Sequence, residues 1–259
     1  MTRTLNVHLL PAMFEPEALR DGIAVVIDVL RASTTMTLAL QNGAAGIIPC
    51  GSIEEANSAF ERSPDTVLRG GERGGVKIDG FELSNSPDDY SPNVVDGRTI
   101  AFTTTNGTRA LLRCGIAERI LVGSFVNLSG VVNELAGCCN PIHLVCAGTN
   151  GAVTNEDVLF AGCIVQRLTG CVDIPDVDES RWELSDSSLL ALCAWLQMTR
   201  EMTLPEALLR SKGARNLMAL GYDRDIQTAG MIDLCSIVGI FDGNTKRITA
   251  SPAAARESG

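Results

Sequence analysis

Apolar and polar positions along this chain fall into repeated blocks: a short continuous apolar run, a small polar cluster, then a stretch with helical periodicity. The segment 22–43, GIAVVIDVLRASTTMTLALQNG, shows it first, with an apolar run ending at Asp28, a hydroxyl cluster, and a helix closed by Gly43. Segment 98–115, RTIAFTTTNGTRALLRCG, repeats the block. Segment 141–168, PIHLVCAGTNGAVTNEDVLFAGCIVQRL, repeats it again, with Thr154 or Asn155 as the candidate helix cap and Glu156 and Asp157 in the first turn, where carboxylates favour the helix dipole. Strands that are apolar throughout are buried on both faces. The pattern therefore predicts an α/β fold: a mixed, largely parallel buried sheet with helices on both faces, built from repeated strand–loop–helix units. Shorter apolar runs at 45–50 and 118–123 read as returning strands. Ligands of such sheets sit beyond the carboxyl ends of the strands, and all three polar clusters fall there.

The remaining segments complete the outline. Residues 69–92, rich in Gly, Pro and Asp, predict a long ordered loop across the working edge of the sheet. Segments 185–199 and 204–221 predict amphipathic helices packed as a cover. The small polar residues of 245–259 predict a flexible C-terminal tail, which leaves 1–244 as a single α/β domain.

Composition narrows the partners. At 259 residues and 45% hydrophobic content the chain can build its own core, and its net charge of −10 argues against a nucleic-acid or anionic membrane partner, since either needs a dense cationic face. A small molecule is the expected partner. Nine cysteines, odd in number and without a C-x-x-C pair, read as reduced thiols of a cytoplasmic protein. The N-terminal apolar stretch is broken by Pro11, too weak for a signal sequence, and no uninterrupted apolar run nears the ~20 residues of a membrane span.

Candidate chemistry follows by elimination. With only His8 and His143 present, a serine–histidine triad or a histidine-rich zinc site is disfavoured, and Cys146 lacks the arginine a cysteine phosphatase needs at position 152, which is Ala152. Carboxylate plus divalent metal remains. Asp28 ends a buried strand, where an ionised carboxylate is costly unless it meets a metal or cation. Arg31, Ser33, Thr34 and Thr35 follow within a turn, offering an anion clamp and hydroxyl donors; a structural Asp28–Arg31 ion pair would explain the same residues. The RGGERGG run, 69–75, sets Glu72 and Arg73 between glycine pairs that can approach a ligand, or that simply make a surface turn. Thr104, Thr105, Asn106, Gly107 and Thr108 place donors at a helix start, as an anion seat or as a plain cap by Thr105 or Asn106. Gly148, Thr149 and Asn150 add loop donors. Asp28, Glu72, Glu156 and Asp157 are the acids best placed for Mg²⁺; Glu156 and Asp157 point in different directions on a helix, so one is a ligand and the other a cap.

Taken in order, IDVLRASTT, GGERGG, LSNSPDDY, TTTNGTRAL, GSFVN, CAGT and NEDVLFAG resemble the 2-phosphosulfolactate phosphatase family over residues 7–168, with a weaker echo in SKGARNLMALGYDRDI, 211–226. The resemblance implies that family's α/β fold, Mg²⁺-dependent hydrolysis of the phosphate ester of a sulfonated hydroxy acid, an association with coenzyme M biosynthesis, and self-association as a homodimer. It also adds Asn85 and Ser124 to the substrate-binding residues. The pattern departs from the family at Ser33 and Ser84. In the resulting scheme Asp28, with one or two of Glu72, Glu156 and Asp157, holds the metal, Arg31 or Arg73 spreads the phosphoryl charge, and Ser33, Thr34, the 104–108 cluster, Gly148 and Thr149 bind substrate. The D-x-D spacing of aspartyl phosphatases is absent, position 30 being Leu30, which favours direct attack by water. A non-catalytic anion-binding module and an isomerase or lyase of phosphorylated acids are the alternatives.

Overall fold

A computed structural model describes residues 2–251. In chain order its elements are β1 (Arg3–His8), β2 (Ile23–Ile27), α1 (Ala32–Gln41), β3 (Gly46–Pro49), α2 (Ile53–Glu61), β4 (Val67–Arg73), β5 (Val76–Lys77), α3 (Pro92–Val95), β6 (Thr99–Thr103), α4 (Gly107–Arg113) and β7 (Arg119–Gly123). There follow α5 (Leu128–Ala136), β8 (Ile142–Cys146), α6 (Asn155–Thr169), β9 (Trp182–Leu184), α7 (Asp186–Glu201), α8 (Leu204–Leu209), α9 (Lys212–Ala219), α10 (Asp223–Ala229), β10 (Gly239–Asp242) and β11 (Arg247–Ala250).

These strands make one sheet, ordered β5-β4-β6-β3-β11-β10-β7-β2-β8-β1-β9. It consists of two parallel blocks, β4-β6-β3 and β7-β2-β8-β1-β9, joined by the antiparallel hairpin β10–β11. The fold is the mixed, mostly parallel α/β sheet that the continuous apolar strands predict. Their alternation is visible in the packing: Ile23, Val25 and Ile27 of β2 join the core under α5–α10, whereas Ala24 and Val26 face α1 and α4. The returning strands do not pair with the strands that precede them, however. β3 pairs with β6 and β7 pairs with β2, so the chain crosses from block to block.

The successive antiparallel pairings from β3 through β11 and β10 to β7 set the two blocks in opposite directions. Strand twist accumulates at about 20–25° per step, roughly 100–125° between β6 and β2, and turns the carboxyl ends of the two blocks toward a common cleft.

Two sequence expectations are corrected here. Residues 69–73 are not loop but the second half of β4, paired with β6 and turned back on β5. Glycine is needed there for close contact, and at Gly71 also for a φ of +146°: a Cβ on Gly70 would lie 2.3 Å from the Tyr90 hydroxyl, and one on Gly71 would lie 2.0 Å from the Thr103 carbonyl oxygen. The expected tail from 245 is likewise not free, because 247–250 form β11, in the middle of the sheet. A single buried residue, Ile248, carries that strand, too little apolar signal to register in the pattern. The rest of the expected tail, 252–259, lies outside the described residues.

The predicted cover is present, but 204–221 is two helices, α8 and α9, divided where Ser211 caps α9 by accepting from the Ala214 N–H at 3.0 Å. The segment Asn155–Asp176 has the length and hydropathy of a membrane span, yet its helical part, α6, has most of one face fully buried in the core beneath α7.

The hairpin's place in the core is testable. Ile248→Ala is expected to cost about 2–5 kcal/mol of stability, whereas alanine at the exposed neighbour Thr249 changes it by less than about 0.5 kcal/mol. Urea unfolding of both variants checks this, and equal midpoints would place the segment outside the core.

Candidate active site

The turn after β2 is built by hydroxyls. Ser33 Oγ accepts the Asp28 N–H at 2.9 Å and donates to the Val26 carbonyl at 3.2 Å, while Thr34 Oγ1 donates to the Val29 carbonyl at 2.8 Å. Thr35 Oγ1 donates to the Asn85 carbonyl at 2.9 Å. All three side chains are buried. Their expected role toward substrate is therefore corrected for Ser33 and Thr34: both hydroxyls are committed to the backbone that aims Asp28.

Asp157, on the first turn of α6, is a bracket between loops. Its Oδ1 accepts from the Val29 N–H at 2.9 Å and its Oδ2 from the Gly148 N–H at 3.0 Å, tying the turns after β2 and β8 together. Glu156 is different. It is 1% exposed, its Oε1 lies against Gly213 of α9, and its Oε2 has no hydrogen-bond partner. Of the two adjacent acids, Asp157 is thus the bracket and Glu156 the carboxylate with capacity left.

These turns open on a cleft of about 130 Å³. Of the residues expected from sequence, Asp28, Arg31, Glu72, Asn85, Thr105, Asn106 and Thr149 line it. Glu72 holds two loops at its rim, Oε1 accepting from the Thr105 N–H at 2.8 Å and Oε2 from the Gly75 N–H at 2.7 Å. Asn106 Oδ1 accepts from the Asn150 N–H at 3.1 Å, joining the turns after β6 and β8. Asn85 turns a buried Oδ1 that has no partner.

Other expected residues serve the frame instead of the cleft. Thr104 and Thr108 exchange hydrogen bonds across the first turn of α4, Thr108 N–H to Thr104 Oγ1 at 3.2 Å and Thr104 N–H to Thr108 Oγ1 at 3.0 Å. Gly107 allows α4 to approach Asp28; a Cβ there would stand 2.6 Å from Asp28 Oδ2. Arg73 does not line the cleft, its guanidinium being held by the Glu72 carbonyl at 2.7 Å and Thr103 Oγ1 at 3.0 Å. Ser124 sits at the turn after β7, its N–H on Asn127 Oδ1 at 3.0 Å, away from the lining. Gly148 is one partner of Asp157.

Arg31 does not pair with Asp28 as the simpler sequence reading allowed. Its Nη1 donates to Asp225 Oδ2 of α10 at 2.8 Å, its Nη2 to the Gly75 carbonyl at 2.7 Å, and the Tyr222 ring faces the guanidinium at 4.2 Å. Asp225 escaped the sequence reading. The only signal was the weak GYDRDI echo, because an acid in a surface-type helix does not reveal that its partner is nearly two hundred positions away.

Electrostatically the cleft concentrates negative charge. Burial pushes Asp28 up to about 7, with the Glu72 and Glu156 carboxylates raising it further and the Ala32 N–H and Arg31 opposing them. Burial likewise holds Glu156 above the usual carboxylate range and Asp157 well above it. Among the described residues no three His, Cys, Asp or Glu side chains converge into a cage for a metal ion, so of the expected sets, Asp28 with one or two of Glu72, Glu156 and Asp157, the three-acid form is not assembled. Mg²⁺ needs less, since it keeps waters and takes one or two protein carboxylates beside phosphate oxygens. The unpartnered Glu156 Oε2, and Asp28 Oδ2, which accepts no hydrogen bond among the described residues, fit that requirement.

With this geometry in hand, similarity to known proteins becomes informative. A family model described as 2-phosphosulpholactate phosphatase matches residues 8–244. The chain belongs to that family. Among relatives, a protein of Caldanaerobacter subterraneus named "Probable 2-phosphosulfolactate phosphatase" is 40% identical over 223 residues, 85% of this chain and 88% of its own length. Proteins of the same name from Thermotoga maritima and Caldicellulosiruptor saccharolyticus are 42% and 40% identical, over 83% and 82% of this chain and 87% and 85% of their own lengths. The family match takes in the Asp28 turn, the Glu72 hairpin and α6, but also α9 and α10, which supply Gly213 and Asp225 to the site.

Two outcomes follow, the first read in EDTA and the second by turnover. Because the folded Asp28 binds its proton more tightly than the unfolded one, the unfolded chain carries fewer protons between about pH 4 and 7, and stability falls as pH rises through that window. Asp28→Asn should flatten this dependence and gain stability at pH 8, by up to about 4 kcal/mol; urea unfolding in EDTA at pH 5 and pH 8 measures it. Gly107→Ala should displace Asp28 and lower turnover at least about tenfold while the protein still unfolds cooperatively, and an unchanged rate would show that the contact is dispensable.

Proposed function

We propose that this protein hydrolyses the phosphate ester of 2-phosphosulfolactate, or a closely similar phosphorylated hydroxy acid, with Mg²⁺ as cofactor. The observation that carries the reading is the pairing of opposites at one small cleft: a fixed guanidinium, Arg31, and the carboxylate of Asp28 line it, and the buried Glu156, unpartnered at Oε2, lies behind the lining residue Gly213 within the field of Asp28. The family and the names of the relatives support the substrate class. Asp28 and Glu156 are the residues to hold Mg²⁺, which when bound supplies charge neutralisation to phosphoryl oxygens.

The chain's own groups do the rest. Arg31 binds the phosphoryl group and spreads the charge that develops in a loose transition state. Asn106 and Thr149 border the same space and orient the guest's other anionic end, beside Thr105, whose hydroxyl donates to Glu72 Oε2 at 3.3 Å. Leu217 and Leu220 form an apolar wall that limits water. The same reading extends to coenzyme M biosynthesis, a cytoplasmic location and a homodimer.

Phosphate release from a panel of phosphorylated hydroxy acids, with Mg²⁺ and with EDTA, tests the proposal. Turnover is expected only with Mg²⁺ and highest on the sulfonated acid; binding without release would instead mark an anion-binding module, and conversion without free phosphate an isomerase or lyase. Arg31→Ala and Asp28→Asn should each lower turnover about a hundredfold or more, as loss of a charge-stabilising donor does. Near-native rates in both variants would refute the assignment.

A further inference from the structure

Arg31 rises from a turn on a long side chain, and its guanidinium can serve a phosphoryl group only if it is held in place before the substrate arrives. The groups that hold it come from two segments remote in sequence. Asp225 Oδ2 on α10 takes one nitrogen at 2.8 Å, the Gly75 carbonyl in the β4–β5 turn takes the other at 2.7 Å, and the Tyr222 ring covers the face at 4.2 Å. Asp225 is itself fixed from the far side, its Oδ1 accepting from Ser86 Oγ at 2.6 Å. Both partners of the ion pair are buried, at 3% exposure each.

Asp225 has no oxygen left for chemistry. Its Oδ1 is committed to Ser86 and its Oδ2 to Arg31, and it does not line the cleft. Its charge nevertheless matters there, because Arg31 also lies within the field of Asp28, a carboxylate that lines the cleft. A guanidinium released from Asp225 would be drawn onto Asp28, which occupies both the phosphoryl-binding cation and a proposed metal ligand at once. Two hydrogen bonds already directed away from Asp28 prevent that collapse and leave the Nε and the second hydrogens of Nη1 and Nη2 for a guest.

We infer that Asp225 is a positioning residue for Arg31, and that α10 with its Ser86 contact is a working part of the active site rather than a cover. This rests on the reading of Arg31 given above. A buried ion pair adds little net stability in general, but removing one partner leaves the other free to re-pair, and misplacement of a catalytic group by an ångström costs about a hundredfold.

The test is a double-mutant cycle read by phosphate release on the purified full chain. Asp225→Asn, which keeps the size and can still meet Ser86, should lower kcat by about 10–100-fold with a smaller change in KM, and should cause no further loss in an Arg31→Ala background. Free guanidinium at non-denaturing concentration should partly rescue Arg31→Ala but not Arg31→Ala/Asp225→Asn, because the carboxylate is what seats it. If Asp225→Asn does not fold, Ser86→Ala, which frees the carboxylate to rotate, should lower kcat a few-fold in the native background and not in Arg31→Ala. Wild-type kcat in these variants, fully additive losses, or equal guanidinium rescue in the single and double variants would overturn the inference. An Arg31→Ala variant with native turnover would instead overturn the role of Arg31 itself.

Discussion

Everything at the site depends on the burial of like charges beside one fixed cation. Asp28, Glu156 and Asp157 stand at the ends of buried strands and a buried helix, where ionised carboxylates are costly, and each is compensated differently. Asp157 meets two backbone N–H groups, Asp28 accepts one from Ala32, and Glu156 keeps an oxygen with no partner. A purely structural cluster would have satisfied all three. In the function proposed here, the incomplete satisfaction of Asp28 and Glu156 suits the site to a cation, and the outward hydrogen bonds of Arg31 suit it to an anion.

The sheet gives this chemistry its setting. A single parallel block would align its own loops at one edge; here two blocks of opposite direction are joined by the C-terminal hairpin, and twist turns their loop ends together. The Asp28 and Thr149 turns come from one block, and the Glu72 and Thr105 turns from the other. Glu72 is the seam. It joins the β4–β5 turn to the start of α4, so it determines how closely the rim loops approach.

Hydroxyl groups divide the labour in a way their clustering conceals. Ser33, Thr34, Thr104 and Thr108 serve the backbone of the two helix starts, where orphan N–H and C=O groups need partners, while Thr105 and Thr149 border the cleft. The same few residues thus hold both a cap and part of the cleft wall. The cap shapes the wall.

The sequence by itself determined the α/β class, the doubly buried strands, the position of Asp28, Arg31 and the Thr105 turn at strand ends, and the family, because these follow from local periodicity and from short motifs with fixed internal spacing. It could not determine which strands pair across the two blocks, that Ile248 completes the sheet, which of Glu156 and Asp157 is left unpartnered, or that Arg31 answers to Asp225 and not to Asp28. Those are long-range matters. They depend on which buried charge finds which partner once burial has removed water as the alternative, and a pattern read along the chain carries no record of a neighbour that only folding supplies.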